Sequence, residues 1–309
     1  MRVSSIILAA TSAATVLGAP LEKRANYDPL PGGDITILNY ALVLEYLERE
    51  FYRQGLANYT EADFCEFAAG ESSKFYKNLQ NIYEDEKSHV QFLETALNGS
   101  AIPEPSFKFP STDARSFLAL ASILEGTGVS AYLGAAAVIA DKAYVTPAGS
   151  ILTVEARHSA FIRSALGRKP FPKPYDTPLN FNQVYSLAAQ FVSSFAPGTP
   201  ELPFKAFPPL EVDIGTDGVT FKGAYADAVS AGTIQPGQAV YAVHFSGLDT
   251  YYVQAVVSGN DYTVAAPPSG LDGQVYVVLS TADGSSTKVS DENTIAGVGI
   301  AEISDPTYV

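Results

Sequence analysis

The chain has 309 residues with 19 basic and 33 acidic side chains, a formal net charge of −14, and 47% hydrophobic against 17% charged residues. Enough apolar material is present to bury a core, which excludes a disordered chain, and the acidic balance excludes nucleic acid and anionic membrane surfaces as partners. The single cysteine, Cys65, excludes an intramolecular disulfide, and a buried free thiol is its expected state.

Arg2 precedes an apolar run from Val3 to Leu17 that ends in Gly18-Ala19, the pattern of a secretory signal peptide. Lys23-Arg24 follows as a dibasic processing site. Residues 1–24 are therefore expected to be removed, with a mature chain from about Ala25 that keeps 16 basic and 32 acidic residues. The expected location is extracellular or in the cell wall, and the sequons Asn58-Tyr59-Thr60 and Asn98-Gly99-Ser100 fit a secreted glycoprotein.

Residues 25–198 read as a helical domain. Asp34 is placed to cap a first helix running to about Gln54, with apolar residues at helical spacing. A second runs from about Ser73 to Leu97 and stops at Asn98-Gly99, and the Pro-containing segment GSAIPEPSFKFP is long enough to cross the length of a bundle. A third begins near Ser111-Thr112-Asp113, a fourth is expected at Thr146-Pro147 and ends at Gly167, and a shorter fifth covers FNQVYSLAAQFVSSF.

The third helix carries the run LALASILEGTGVSAYLGAAAVIA, whose one charged residue is Glu125. A carboxylate near a bilayer centre costs about 2.5–3.5 kcal/mol, so no membrane span is expected in the mature protein. Gly126-Thr127-Gly128-Val129-Ser130-Ala131 matches a dinucleotide fingerprint, but that fingerprint needs a preceding strand and here a helix precedes it. The glycines read instead as sites of close helix approach or a local kink.

Residues 199–309 change to short β-type runs: LEVDI, VTFK, AVYAVHF, TYYVQAVV, DYTVAA, QVYVVLST and GIAEI. Their spacing suggests a small immunoglobulin-like β-sandwich, with His244 at an ordinary sheet position.

Two of the three histidines close a Glu-x-x-His motif, Glu86-Lys87-Ser88-His89 on the second helix and Glu155-Ala156-Arg157-His158 on the fourth. On a helix this spacing puts a carboxylate and an imidazole on one face. The first and third helices each offer a carboxylate inside an apolar face, Glu125 on the third and Glu45 or Glu48 on the first. The order Glu, Glu-x-x-His, Glu, Glu-x-x-His is that of di-iron and di-manganese carboxylate bundles. Buried carboxylates need compensating charge, which two divalent cations supply, and imidazole with carboxylate suits iron, manganese or zinc, of which iron or manganese is expected here. Tyr52 and Tyr132 each follow a candidate glutamate, Glu45 and Glu125, by one heptad, as large aromatics of the core or as partners of the site.

At the strings LNYALVLEYLEREFY, DEKSHVQFL, GVSAYLGAA and VEARHSAFIR the sequence resembles the ferritin-like superfamily. Within it, the resemblance is to secreted fungal stress-response and late-sexual-development proteins related to plant desiccation-related proteins. It covers residues 30–196. It implies a four-helix bundle with a fifth helix, in which Glu45, Glu86, His89, Glu125, Glu155 and His158 are the metal ligands. It also implies that Asp85 supports a ligand histidine, a role Val154 cannot play in the second motif.

Two functions follow as expectations. One is a secreted di-metal protein with oxidase, ferroxidase or peroxide chemistry, linked to stress or development. The other is an extracellular structural or stress-protective scaffold, in contact with cell-wall or matrix components through the β-domain and lacking catalysis.

Overall fold

The computed structural model describes residues 30–215 and 218–303, so the expected signal peptide, dibasic site and mature N-terminus lie outside the described residues. Four long helices come first: α1 Gly33–Asn58, α2 Ser72–Leu97, α3 Ala114–Ala135 and α4 Lys142–Ala165. α1 packs along α2 and α3 along α4. The α2–α3 crossover is tied down by Asn39, whose side chain donates to Ser100 O and accepts from Ile102 N.

Local chemistry explains most helix ends and corrects three of the expected ones. Asp113 caps α3 by accepting from Ser116 N. Asp34 does not cap α1. It lies in the first turn, behind Gly32, and its carboxylate accepts from Ala140 N and Asp141 N, tying α1 to the α3–α4 connection. α4 starts at Lys142, not at Thr146-Pro147, because Asp141 offers the earlier cap by accepting from Ala143 N. Pro147 is tolerated inside that helix because the carbonyl it fails to reach belongs to Ala143, which is exposed and can turn to water. The fifth helix, α5 Phe181–Ala188, is shorter than expected and continues as a 3₁₀ turn through Phe191. Its continuation Val192–Ser194, poor in helix formers, pairs instead as strand β2 with β1, Ser106–Phe107, in the crossover.

Cys65 is exposed, contrary to the buried state expected. It sits in the 3₁₀ turn Glu61–Phe67, where the three-residue repeat sends Phe64 and Phe67 into the core and leaves Cys65 outside.

All seven expected β-runs are strands: β3 Glu211–Gly215, β4 Gly218–Lys222, β5 Val240–Ser246, β6 Asp249–Ser258, β7 Asp261–Val264, β8 Gly273–Ser280 and β9 Thr294–Ile303. They are antiparallel in the order β3-β4-β7-β6-β5-β8-β9, with a short helix α6, Ala224–Ser230, after β4. β6 serves both layers of this sandwich or barrel-like domain: its first part pairs with β5 and its last residues, Val256–Ser258, with β7. The layers meet again where β3 comes beside β9.

The period of two along β8 divides its apolar run between two cores. Val275, Val277 and Leu279 fill the interior of the sheet domain, while Tyr276 and Val278 join the core of the helices. The bundle and the sheet thus share one continuous hydrophobic cluster, in which Leu44, Leu47 and Leu124 from the helices meet Val243, Phe245 and Val298 from the sheet. Polar ties cross the same junction. Arg163 forks onto both Glu302 carboxylate oxygens at 3.0 and 2.8 Å, and Tyr276 donates to Gly126 O at 2.7 Å.

α3 is long and apolar enough by composition to cross a membrane, yet 67% of its most apolar window is buried inside the fold. Glu125, on the same helix, is fully buried.

Candidate metal centre

Each long helix delivers its candidate residues to one region of the bundle. The i, i+3 spacing on α2 and α4 puts Glu86 with His89 and Glu155 with His158, while α1 and α3 contribute Glu45 and Glu125. The four glutamates are 0% exposed, and His89 and His158 are 8% and 6% exposed. Such burial of four carboxyl groups requires compensation, because an uncompensated buried charge costs several kcal/mol.

Ligand atoms converge in two groups. Glu45, Glu86, His89 and Glu155 form one, and Glu86, Glu125, Glu155 and His158 the other, all atoms within a group lying within 4.8 Å of one another. Each group could hold a metal ion. Glu86 and Glu155 belong to both. Glu45 is the α1 residue in these groups and Glu48 is in neither.

The fit to a metal shows in the atoms left without hydrogen bonds. Glu86 Oε1, Glu125 Oε2, both carboxylate oxygens of Glu155 and His158 Nδ1 are buried and lack a hydrogen-bond partner. They nevertheless crowd together: His158 Nδ1 stands 3.0 Å from Glu86 Oε1 and 3.3 Å from Glu125 Oε2, and His89 Nδ1 stands 3.2 Å from Glu155 Oε1. Lone pairs aimed at common points rather than at donors are what metal ligation needs.

Partners behind these atoms hold them in place. Tyr132 donates to Glu45 Oε1 at 2.5 Å, and Tyr52 donates to Glu125 Oε1. The two tyrosines are related as their glutamates are, each reaching across from α1 to α3 or back. Asp85 Oδ2 lies 3.2 Å from His158 Nε2, placed to accept that ring N–H while Nδ1 faces the centre. Val154, at the equivalent place before Glu155, has no such group.

Protonation in the metal-free protein follows from burial and crowding. Burial pushes Glu45 and Glu86 up, and Glu125 to about 7. Burial opposes the charge on Glu155 as well, yet Glu155 moves the other way, to about 2, because the imidazoles of His158 and His89 crowd against it and favour its charged form. Burial opposes the charge on both imidazoles, yet the surrounding carboxylates raise them, His89 to about 12. The cluster thus balances itself with protons, which cations would replace.

Glu48 is 3% exposed, and among the described residues its carboxyl meets neighbouring carboxylates and no hydrogen-bond donor. Burial, and then the charges of Glu155, Glu86, Glu125 and Glu45, hold its carboxyl well above the usual range. It stands three residues after Glu45, and the residue three after Glu125 is Gly128. A Cβ on Gly128 would lie 3.0 Å from Glu48 Oε1, so the missing side chain on α3 makes room for the extra carboxyl on α1. Gly126 has a different neighbour, because a Cβ there would meet the Gln274 side chain of β8 at 2.8 Å. One glycine therefore admits the sheet domain and the other a carboxyl of the site. The shared offset of three was visible in the sequence; the contribution of Gln274 and Tyr276 from the sheet was not.

A family model described as a ferritin-like domain matches residues 33–168. The protein rds1 of Schizosaccharomyces pombe is 24% identical over 191 residues, 62% of this chain. The match spans about half of that relative, 47% of its length. With its helices, its paired Glu-x-x-His motifs and this match, the segment 33–168 is a ferritin-like domain, followed in this chain by a β-sheet domain.

Proposed function

We propose that the mature chain is a secreted di-metal carboxylate protein that holds two iron or manganese ions. Glu45, Glu86, His89 and Glu155 would hold one ion, and Glu86, Glu125, Glu155 and His158 the other. The observation that carries this reading is the sharing of Glu86 and Glu155 between two buried ligand groups. Two such ions would supply Lewis acidity and redox capacity, suited to oxidase, ferroxidase or peroxide chemistry. The chain's own residues prepare the site: Tyr132 and Tyr52 orient Glu45 and Glu125, and Asp85 fixes the tautomer of His158. Leu44 and Leu124 belong to the apolar packing around the site.

Secretion is supported by the apolar leader and dibasic pair in the sequence. Asn58 and Asn98, at the exposed C-terminal ends of α1 and α2, are accessible for glycan attachment. A role in stress or development is the part of the proposal that rests on resemblance to fungal proteins alone.

The test is metal content of the protein expressed through a secretory route and incubated with ferrous or manganous ion. Wild type is expected to retain about two ions per chain, and Glu125→Ala and His158→Ala to retain fewer. Equal content in all three would overturn the proposal and favour a scaffold without catalysis.

A further inference from the structure

A cavity of about 200 Å³ lies where the bundle meets the sheet domain. Leu44, Leu47 and Leu124 from the helices and Val298 and Ile300 from β9 form much of its wall, and Gln190, exposed, stands at its rim. Its polar side chains other than Glu48 are engaged within their own segments: Thr127 Oγ1 donates to Ile123 O and Gln190 Nε2 to Ser186 O. Glu48 lines the cavity, deeply buried, without a hydrogen-bond partner among the described residues.

The cavity also adjoins the metal centre. A Cβ on Gly128, another lining residue, would stand 3.0 Å from Glu48 Oε1 and 3.6 Å from Glu155 Oε2. No side chain at position 128 separates the cavity from the carboxylate shared by both ligand groups.

We propose that this cavity binds the substrate of the centre, a small uncharged and largely apolar molecule whose one hydroxyl group hydrogen-bonds to Glu48. Size, lining and charge lead to that class. An apolar cavity of about 150 Å³ accommodates benzene, so this one holds a molecule of that size with one further group. An anion would face the carboxyl groups of Glu48 and Glu155, and any charge would lose its water against apolar walls. A single neutral hydroxyl matches the one unpaired polar side chain among the described lining residues, Glu48. Because β9 supplies part of the wall, the sheet domain completes the pocket, which gives it a role in the chemistry of the bundle. As a binding pocket it stands alone; as a substrate pocket it rests on the proposed metal centre.

Benzyl alcohol and toluene serve as probes, titrated by ligand-observed NMR into the full mature chain after chelation, so that metal plays no part in the readout. Wild type is expected to bind benzyl alcohol more tightly than toluene. Ala188→Leu, which adds bulk to the lining, weakens both about tenfold or more, and Glu48→Leu removes the preference for the alcohol, about a tenfold effect for one buried hydrogen bond. Glu48→Gln, which keeps a hydrogen-bonding group, retains much of the preference. Circular dichroism checks that each variant folds. The proposal is overturned if wild type binds neither probe, if Ala188→Leu leaves binding unchanged while folded, or if the preference survives Glu48→Leu. Metal content of the same wild-type preparation before chelation is read separately: absence of metal alongside selective binding removes the metal centre and leaves the pocket.

Discussion

Tyr132 on α3 donates its hydroxyl proton to Glu45 on α1 at 2.5 Å, inside a bundle where neither residue meets solvent appreciably. The reciprocal bond from Tyr52 to Glu125 runs the other way across the same pair of helices. Each tyrosine occupies one oxygen of its glutamate, which leaves the other to face the centre. Removing either hydroxyl frees that carboxylate to rotate and leaves an acceptor unpaired. Tyr132→Phe and Tyr52→Phe are expected to fold and to lose about 10- to 100-fold in metal affinity, the usual effect of deleting a group that orients a ligand. Competition against a chelator of known affinity measures it.

Metal removal should change stability as well as content. Four buried carboxyl groups and two imidazoles are held together by protons when no cation is present. A ligand that binds only the folded state at a hundred times its dissociation constant adds about 2.7 kcal/mol. Ferrous or manganous ion is therefore expected to raise the unfolding midpoint of the chelated protein by several degrees, and Glu155→Gln to abolish most of that rise. Scanning calorimetry with and without the ion reads both.

His244 on β5 gives a pH dependence unrelated to the centre. It is 1% exposed, stands between Tyr251 of β6 and Val277 of β8, and burial lowers its pKa from 6.5 to about 4. Between those values the unfolded chain binds a proton that the folded chain refuses, so stability falls as pH drops from 6.5 toward 4. The full loss amounts to roughly 3 kcal/mol. Urea unfolding across this range should show a slope that His244→Gln flattens.

The junction of bundle and sheet has its own anchor in Arg163, 4% exposed and bonded through both terminal nitrogens to Glu302. Arg163 Nε also donates to Lys169 O. Arg163→Ala removes the main partner of Glu302, which keeps Arg168 Nη1 at 3.5 Å, and is expected to destabilise by about 1–3 kcal/mol. Arg163→Met, which fills the volume without charge, should cost less. Because the two domains share a core, unfolding is expected to remain one transition in both variants, as followed by circular dichroism and tyrosine fluorescence.

Much of the bundle was legible in the sequence because helices announce themselves through period and caps. Asp113 capped where it was expected, and the i, i+3 motifs on α2 and α4 converge because that spacing leaves little freedom. The missed details have physical causes. Asp34 and Asp141 compete for the same connection, so one became an anchor and the other a cap, which moved the start of α4. Cys65 lies in a 3₁₀ turn, whose period differs from that of the flanking helices. Glu45 and Glu48 were not separable by local pattern, because the space that Glu48 occupies is opened by Gly128 on another helix. What the sheet does to the helices, through Tyr276, Gln274 and Arg163, is a matter of tertiary contact that no local pattern encodes.

Crystals of the mature protein loaded with ferrous or manganous ion, with anomalous diffraction recorded at the absorption edge of that metal, address the paired site itself. Two anomalous peaks are expected, one against His89 and Glu45 and one against His158 and Glu125, with Glu86 and Glu155 touching both. No peak between these side chains, or peaks only elsewhere on the molecule, would contradict the di-metal centre.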